Sequence, residues 1–133
     1  MIDLTHPAFN EVDWRSYMSG IKNQNPCGSC WAFAAASVAE GKFGIRNRIS
    51  PTPRISEQEL LDCVFNYGCA GGGACAWALD WGIEHGFVRS ADYPYEGEKS
   101  ASCLHQDNRK RIMKVAEDTF FRHPTAFTIA SEL

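Results

Sequence analysis

The run Gln24-Asn25-Pro26-Cys27-Gly28-Ser29-Cys30-Trp31-Ala32-Phe33 constrains this chain more than any other stretch. It sets two cysteines and a Gly-Ser turn at the head of an apolar segment. Ser29 is a candidate N-cap, and Trp31, Ala34, Ala35, Val38, Ala39 and Phe43 recur at helical spacing. The segment from Cys30 to about Ile45 therefore reads as a helix, weakened near its end by Gly44. Cys30 stands at its first position. A helix N-terminus presents unpaired N–H groups and partial positive charge, both of which favour a thiolate over a thiol. The same N–H groups can stabilise an oxyanion on a carbonyl under attack, and the Gln24 side chain can add a donor. Gly28 lets a substrate backbone come close.

Three other readings compete for the same residues. Cys27-Gly28-Ser29-Cys30 is a Cys-x-x-Cys, as in dithiol oxidoreductases, although no strand precedes it and no βαβ frame surrounds it. Cys27, Cys30, Cys63 and Cys69 can also be drawn as a four-thiolate zinc site, with a loose second spacing. Or every cysteine is structural. The decapeptide alone leaves all four open.

The rest of the chain bounds the answer. Its 133 residues suit one domain, and a hydrophobic fraction of 44% fills one core. A net charge of −3 gives no reason to expect nucleic acid or an anionic membrane as partner. No apolar run approaches the ~18 residues that a membrane span requires. Six cysteines suggest an oxidising compartment. No basic-then-apolar leader opens the chain, which points to a piece cut from a longer precursor or to a start codon placed on a mature fragment; the second is favoured.

Residues 1–26 read as loop and extended chain, with Val12-Asp13-Trp14 a short apolar anchor. Ser56-Glu57-Gln58-Glu59 is a capping box that opens a short helix through Leu61. Gly71, Gly72 and Gly73 break the chain. A third helix is expected over about Ala74 to His85, anchored by Trp77, Leu79, Trp81 and Ile83, with Gly86 as its C′ residue. Phe87-Val88 reads as extended and Tyr93-Pro94-Tyr95 as a turn. Arg109-Lys110-Arg111 reads as a solvated face or strand edge, and Pro124 suits the first position of a last helix.

Taken in order, several of these pieces form a pattern. Val12-Asp13-Trp14-Arg15, the run from Gln24 to Phe33, Ser56 to Cys63, Gly68-Cys69-Ala70-Gly71-Gly72, Tyr93-Pro94-Tyr95 and Cys103 together resemble the papain-like cysteine peptidases, the family that includes the cathepsins. The resemblance implies a mainly α fold: the left, helical half of the two-domain papain-like α+β fold, stapled by disulfides. Residues 1–133 would form that single left domain, with the right, β-barrel-like domain absent from the chain. It implies Cys30 as nucleophile, Gln24 and the Cys30 N–H as oxyanion hole, and Gly71 and Gly72 as the strip that binds an extended peptide, with Gly28 and Gly73 beside it. It implies bridges Cys27–Cys69 and Cys63–Cys103, leaving Cys75 as a small buried apolar residue without a partner. Glu40 and Glu57 match positions that in the family are buried and paired near the interface of the halves; the plain alternative is two solvated charges. Asn25-Pro26, Ala70 and Gly73-Ala74 depart from the family pattern, so pocket preference stays open.

In that family the histidine and asparagine that complete the site lie on the second half. Of His6, His85, His105 and His123, none sits in a family motif, and His85 reads as a solvated cation at a helix end. The expectation is a thiol endopeptidase chain that needs a second chain or domain bearing His and Asn, or a homo-oligomer, and is inactive alone. A protein inhibitor is a further partner, and neither cofactor nor metal is implied. A lysosomal, vacuolar or secreted setting follows. The rival functions are a catalytically silent peptide-binding module and the dithiol oxidoreductase.

Overall fold

The computed structural model describes residues 11–64, 68–100, 102–103 and 110–116. The final helix at Pro124, together with His6, His105, His123 and Arg109, lies outside them. The described residues form a short 3-10 helix at Arg15–Tyr17, three α-helices, α1 (Cys30–Asn47), α2 (Glu57–Cys63) and α3 (Cys75–Glu84), and two short strands, β1 (Phe87–Val88) and β2 (Arg111–Met113). The strands pair antiparallel, Phe87 opposite Met113, with an irregularity that shifts the register before Val88 meets Arg111. The chain is thus mainly α, as the family resemblance implied.

α1 is the central element, and α2 and α3 both pack against it. Its buried stripe is Trp31, Ala32, Ala35, Ala36, Glu40, Gly41 and Gly44. That stripe is rotated from the expected one: Ala34 is exposed, and Val38 keeps 55% of its surface in water. The rotation follows from Glu40, a residue that an apolar pattern assigns to solvent. Its carboxylate accepts from Ser19 Oγ at 2.5 Å, Lys22 Nζ at 2.7 Å and the Ile55 N–H at 2.8 Å, so it is satisfied in the interior. Lys22 Nζ also pairs with Glu57, which is itself buried. The solvated-charge reading of both glutamates is therefore overturned. Gly44 falls in the last turn of the helix. It sits inside α1, where the Tyr17 and Ile49 carbonyls crowd the position a side chain would take.

Ser56 starts α2 by accepting the Glu59 N–H at 3.0 Å. Only this half of the expected capping box forms. The Ser56 N–H goes to the Val88 carbonyl, and the Glu59 carboxylate pairs with Arg111, which lies in strand β2 and not on a solvated face, the strand alternative of its two readings. The polar side chains of α2 are buried because they hold the loop that follows β1. Gln58 takes the Glu96 N–H and donates to the Glu98 carbonyl, while Asp62 takes the Ser100 N–H and the Tyr93 hydroxyl. The Cys63–Cys103 disulfide closes the same contact.

α3 buries Ala78 and Gly82 rather than its large residues, and Trp77 is 45% exposed. Small side chains let the helix axis approach the Phe87 ring, whose Cζ would lie 2.2 Å from a Cβ at position 82. Trp81 and Leu79 pack at the rim of this core. Gly86 follows at φ +74°, and its N–H returns to the Gly82 carbonyl, an αL termination that suits glycine.

Two shorter expectations change. Val12 and Trp14 are exposed rather than anchored, and the adjacent turn is tied by Asp13 and Arg15 at the surface. The hydrogen-bonded turn near the tyrosines lies at Arg89–Tyr93, and Tyr93-Pro94-Tyr95 runs on from it.

Candidate active site

The approach to Cys30 is a tight, cross-tied loop. Asn25 takes φ +56°, a left-handed conformation that asparagine tolerates, and its N–H is held by the Asn23 side chain. The Cys27 N–H then reaches back to the Asn25 carbonyl, and the Ser29 N–H to the Cys27 carbonyl, both at 2.8 Å. Gln24 Nε2 donates to the same Cys27 carbonyl at 2.8 Å. A primary amide carries two N–H bonds. One is thus engaged, and the other meets no acceptor among the described residues.

A second loop braces the first. Cys27 is bridged to Cys69, and the Gly28 N–H donates to the Cys69 carbonyl at 2.9 Å. A Cβ on Gly28 would lie 2.2 Å from that carbonyl oxygen. The close approach that Gly28 permits is therefore made by the protein's own glycine-rich loop. Trp31 completes the brace: its Nε1–H donates to the Gly28 carbonyl at 3.2 Å, and its ring lies where a side chain on Gly73 would stand, 2.7 Å from a Cβ there. Gly72 adopts φ +64°, and Gly71 and Gly73 face solvent.

Cys30, first residue of α1, is exposed and unbridged. The N–H of Cys30 meets no acceptor among the described residues, as the first N–H groups of a helix have no carbonyl a turn before them within the helix. Ser29 occupies the cap position but makes no capping bond. Its hydroxyl pairs instead with Tyr95 Oη at 2.8 Å. Tyr95 also donates to the Gln24 carbonyl at 2.6 Å, and its ring stands edge-on to Phe33. Sequence reasoning missed this tyrosine. The only signal was its place in the ordered motif Tyr93-Pro94-Tyr95.

The bridges decide between the readings of the cysteines. Cys27 is joined to Cys69 and not to Cys30, so the Cys-x-x-Cys is not a dithiol couple in this structure. With Cys63 bridged to Cys103, three of the four sulfurs of the proposed zinc set lie in disulfides. Cys75, the first residue of α3, is exposed, against the expectation of a buried residue. His85 caps α3, half-buried against the Trp81 ring with centroids 4.0 Å apart, so it is not the freely solvated cation expected. At the surface, the Arg15 guanidinium holds the Asp13 carboxyl down at about 2.

A solvent-facing thiol thus stands at a helix head, in a loop braced by a disulfide to a glycine-rich partner loop. Comparison with known proteins assigns the family. The model of the papain family cysteine proteases matches residues 8–130, and the chain belongs to that family. It is 45% identical to fruit bromelain of Ananas comosus over 90 residues, which is 63% of this chain and 24% of that protein. It is 38% identical to cathepsin K of Mus musculus over 105 residues, 76% of this chain and 31% of that one. The fold superposes on the structure of the bromelain protease from Ananas comosus in complex with the E64 inhibitor with a TM-score of 0.71 and 34% identity, covering 79% of this chain and 48% of that chain. The chain thus spans less than half the length of these relatives.

Proposed function

We propose that this chain carries the nucleophile of a papain-like thiol endopeptidase and works with a second half that bears histidine and asparagine. In this reading the Cys30 thiolate attacks a peptide carbonyl carbon. The developing oxyanion is met by the Cys30 N–H and the unengaged N–H of Gln24. Gly71, Gly72 and Gly73 hold the extended peptide, while Gly28, its N–H taken by the Cys69 carbonyl, braces the loop. Collapse of the tetrahedral species breaks the C–N bond, and the imidazolium, which took its proton from the Cys30 thiol, gives that proton to the leaving amine. Water, activated by the same imidazole, then hydrolyses the thioester.

The observation that carries this reading is the division of labour within the Cys27–Cys30 pair: one sulfur is fixed to Cys69 and the other is free at the helix head. Turnover by this chain alone is not expected, since no leaving-group acid stands beside Cys30 among the described residues. The second half would pack along α1, where Cys30, Ala34 and Val38 form an exposed strip one helical turn apart. A homodimer over that strip and a protein inhibitor in the groove are the other partners it suits. Two disulfides agree with an oxidising setting, and a lysosomal, vacuolar or secreted location is proposed on that ground. The test is reconstitution. A polypeptide bearing the family's His and Asn, shown by light scattering to bind this chain, restores hydrolysis of a fluorogenic peptide. Cys30→Ala abolishes it. A demonstrated complex that remains inactive refutes the proposal.

A further inference from the structure

The Tyr95 hydroxyl lies 2.6 Å from the Gln24 carbonyl oxygen and 2.8 Å from Ser29 Oγ. A phenol has one hydrogen to donate, and a carbonyl can only accept. The Tyr95 hydrogen therefore goes to Gln24, and the Ser29 hydroxyl must donate to Tyr95. The order of the chain is set: Ser29 Oγ–H to Tyr95 O–H to the Gln24 carbonyl. Its two ends are Ser29, the residue just before Cys30, and Gln24, whose side-chain amide donates to the Cys27 carbonyl.

The tyrosine is itself firmly held. Its ring meets Phe33, on the first turn of α1, edge-on with centroids 4.9 Å apart. On either side of it, the Tyr93 hydroxyl donates to Asp62 and the Glu96 N–H donates to Gln58, both buried on α2. A phenol anchored to α2 and to α1 thus grips both ends of the loop 24–29.

Building on the peptidase reading above, we propose that Tyr95 is a positioning residue that holds the Gln24 amide and the Cys30 N–H in register as a pair of oxyanion donors. It touches no reacting atom and acts through the Gln24 backbone and Ser29. Removing an oxyanion donor outright slows a hydrolase about 100- to 1,000-fold, so loosening two donors corresponds to a loss of about 10-fold.

The test separates oxyanion stabilisation from thiol reactivity in this same chain. A small peptide aldehyde with a ¹³C-labelled carbonyl forms a hemithioacetal whose oxygen requires the donors. Iodoacetamide alkylates the sulfur without forming an oxyanion. Tyr95→Phe keeps the ring on Phe33 and removes only the hydroxyl. It is expected to weaken aldehyde binding at Cys30 about 10-fold while iodoacetamide labels Cys30 within about twofold of the unsubstituted rate. Ser29→Ala, which retains the bond from Tyr95 to Gln24, falls between the two. An equal drop in both probes assigns Tyr95 a merely structural role and overturns the proposal, as does no change in either. If the unsubstituted chain is neither alkylated at Cys30 nor captured by the aldehyde, the nucleophile reading itself fails, and the role of Tyr95 with it.

Discussion

Replacing Lys22 with methionine tests the buried charge cluster behind the site. Its Nζ lies 2.7 Å from Glu40 and also pairs with Glu57, and these carboxylates belong to residues only 0% and 3% exposed. Methionine keeps the length of the side chain and removes its charge. Glu40 retains the Ser19 hydroxyl and the Ile55 N–H, whereas Glu57 keeps no side-chain donor among the described residues. Two carboxylates would then share a desolvated site with no cation. Breaking a buried pair by removing one partner costs about 3–5 kcal/mol, a large part of the 5–15 kcal/mol typical of a domain. The assay is urea unfolding followed by tryptophan fluorescence, with the disulfides intact and the m-value checked for constancy. Lys22→Met with Glu57→Gln removes the excess charge and should recover at least about 2 kcal/mol, a coupling that a double-mutant cycle reads directly. A loss under about 1 kcal/mol for Lys22→Met would show that the cluster behaves as an exposed ion pair, and the argument for a buried Glu40 would fall with it.

Other perturbations give further checks. Gly28→Ala drives a methyl against the Cys69 carbonyl, in a loop that the adjacent disulfide prevents from moving aside. It should cost about 1–3 kcal/mol and alter iodoacetamide labelling of Cys30, and unchanged values in both would refute the loop-on-loop contact. Ser56→Ala deletes the cap on Glu59 and the bond to the Tyr93 carbonyl, and should lower stability by about 2 kcal/mol in the same urea assay. Asp13 titrates at about 2 rather than 3.8, so its pair with Arg15 contributes above the unfolded value and is lost as pH falls through about 2. Carboxyl NMR should place the midpoint there at low ionic strength and move it upward in ~1 M salt, as expected of an exposed pair. A low-salt midpoint near 3.8 would show that the pair does not form.

Local chemistry made much of this protein readable from its residues. The helix beginning at Cys30, the Ser56 cap and the Gly86 stop depend on neighbours within about one helical turn, so short-range pattern suffices for them. The two disulfide pairings became legible through the order of several motifs, not through any single spacing. Tertiary structure alone decided the rest. Which face of α1 turns inward depended on Lys22, Ser19 and the Ile55 N–H meeting Glu40 across 15 to 21 residues of chain. Tyr95 reaches Gln24 across 71 residues, and Arg111 reaches Glu59 across 52. A polar side chain carries no mark of whether a distant partner will satisfy it. Its burial becomes favourable only once the fold has brought that partner to it, which is why the charged interior and the bracing of the thiol appear in three dimensions and not in the string of residues.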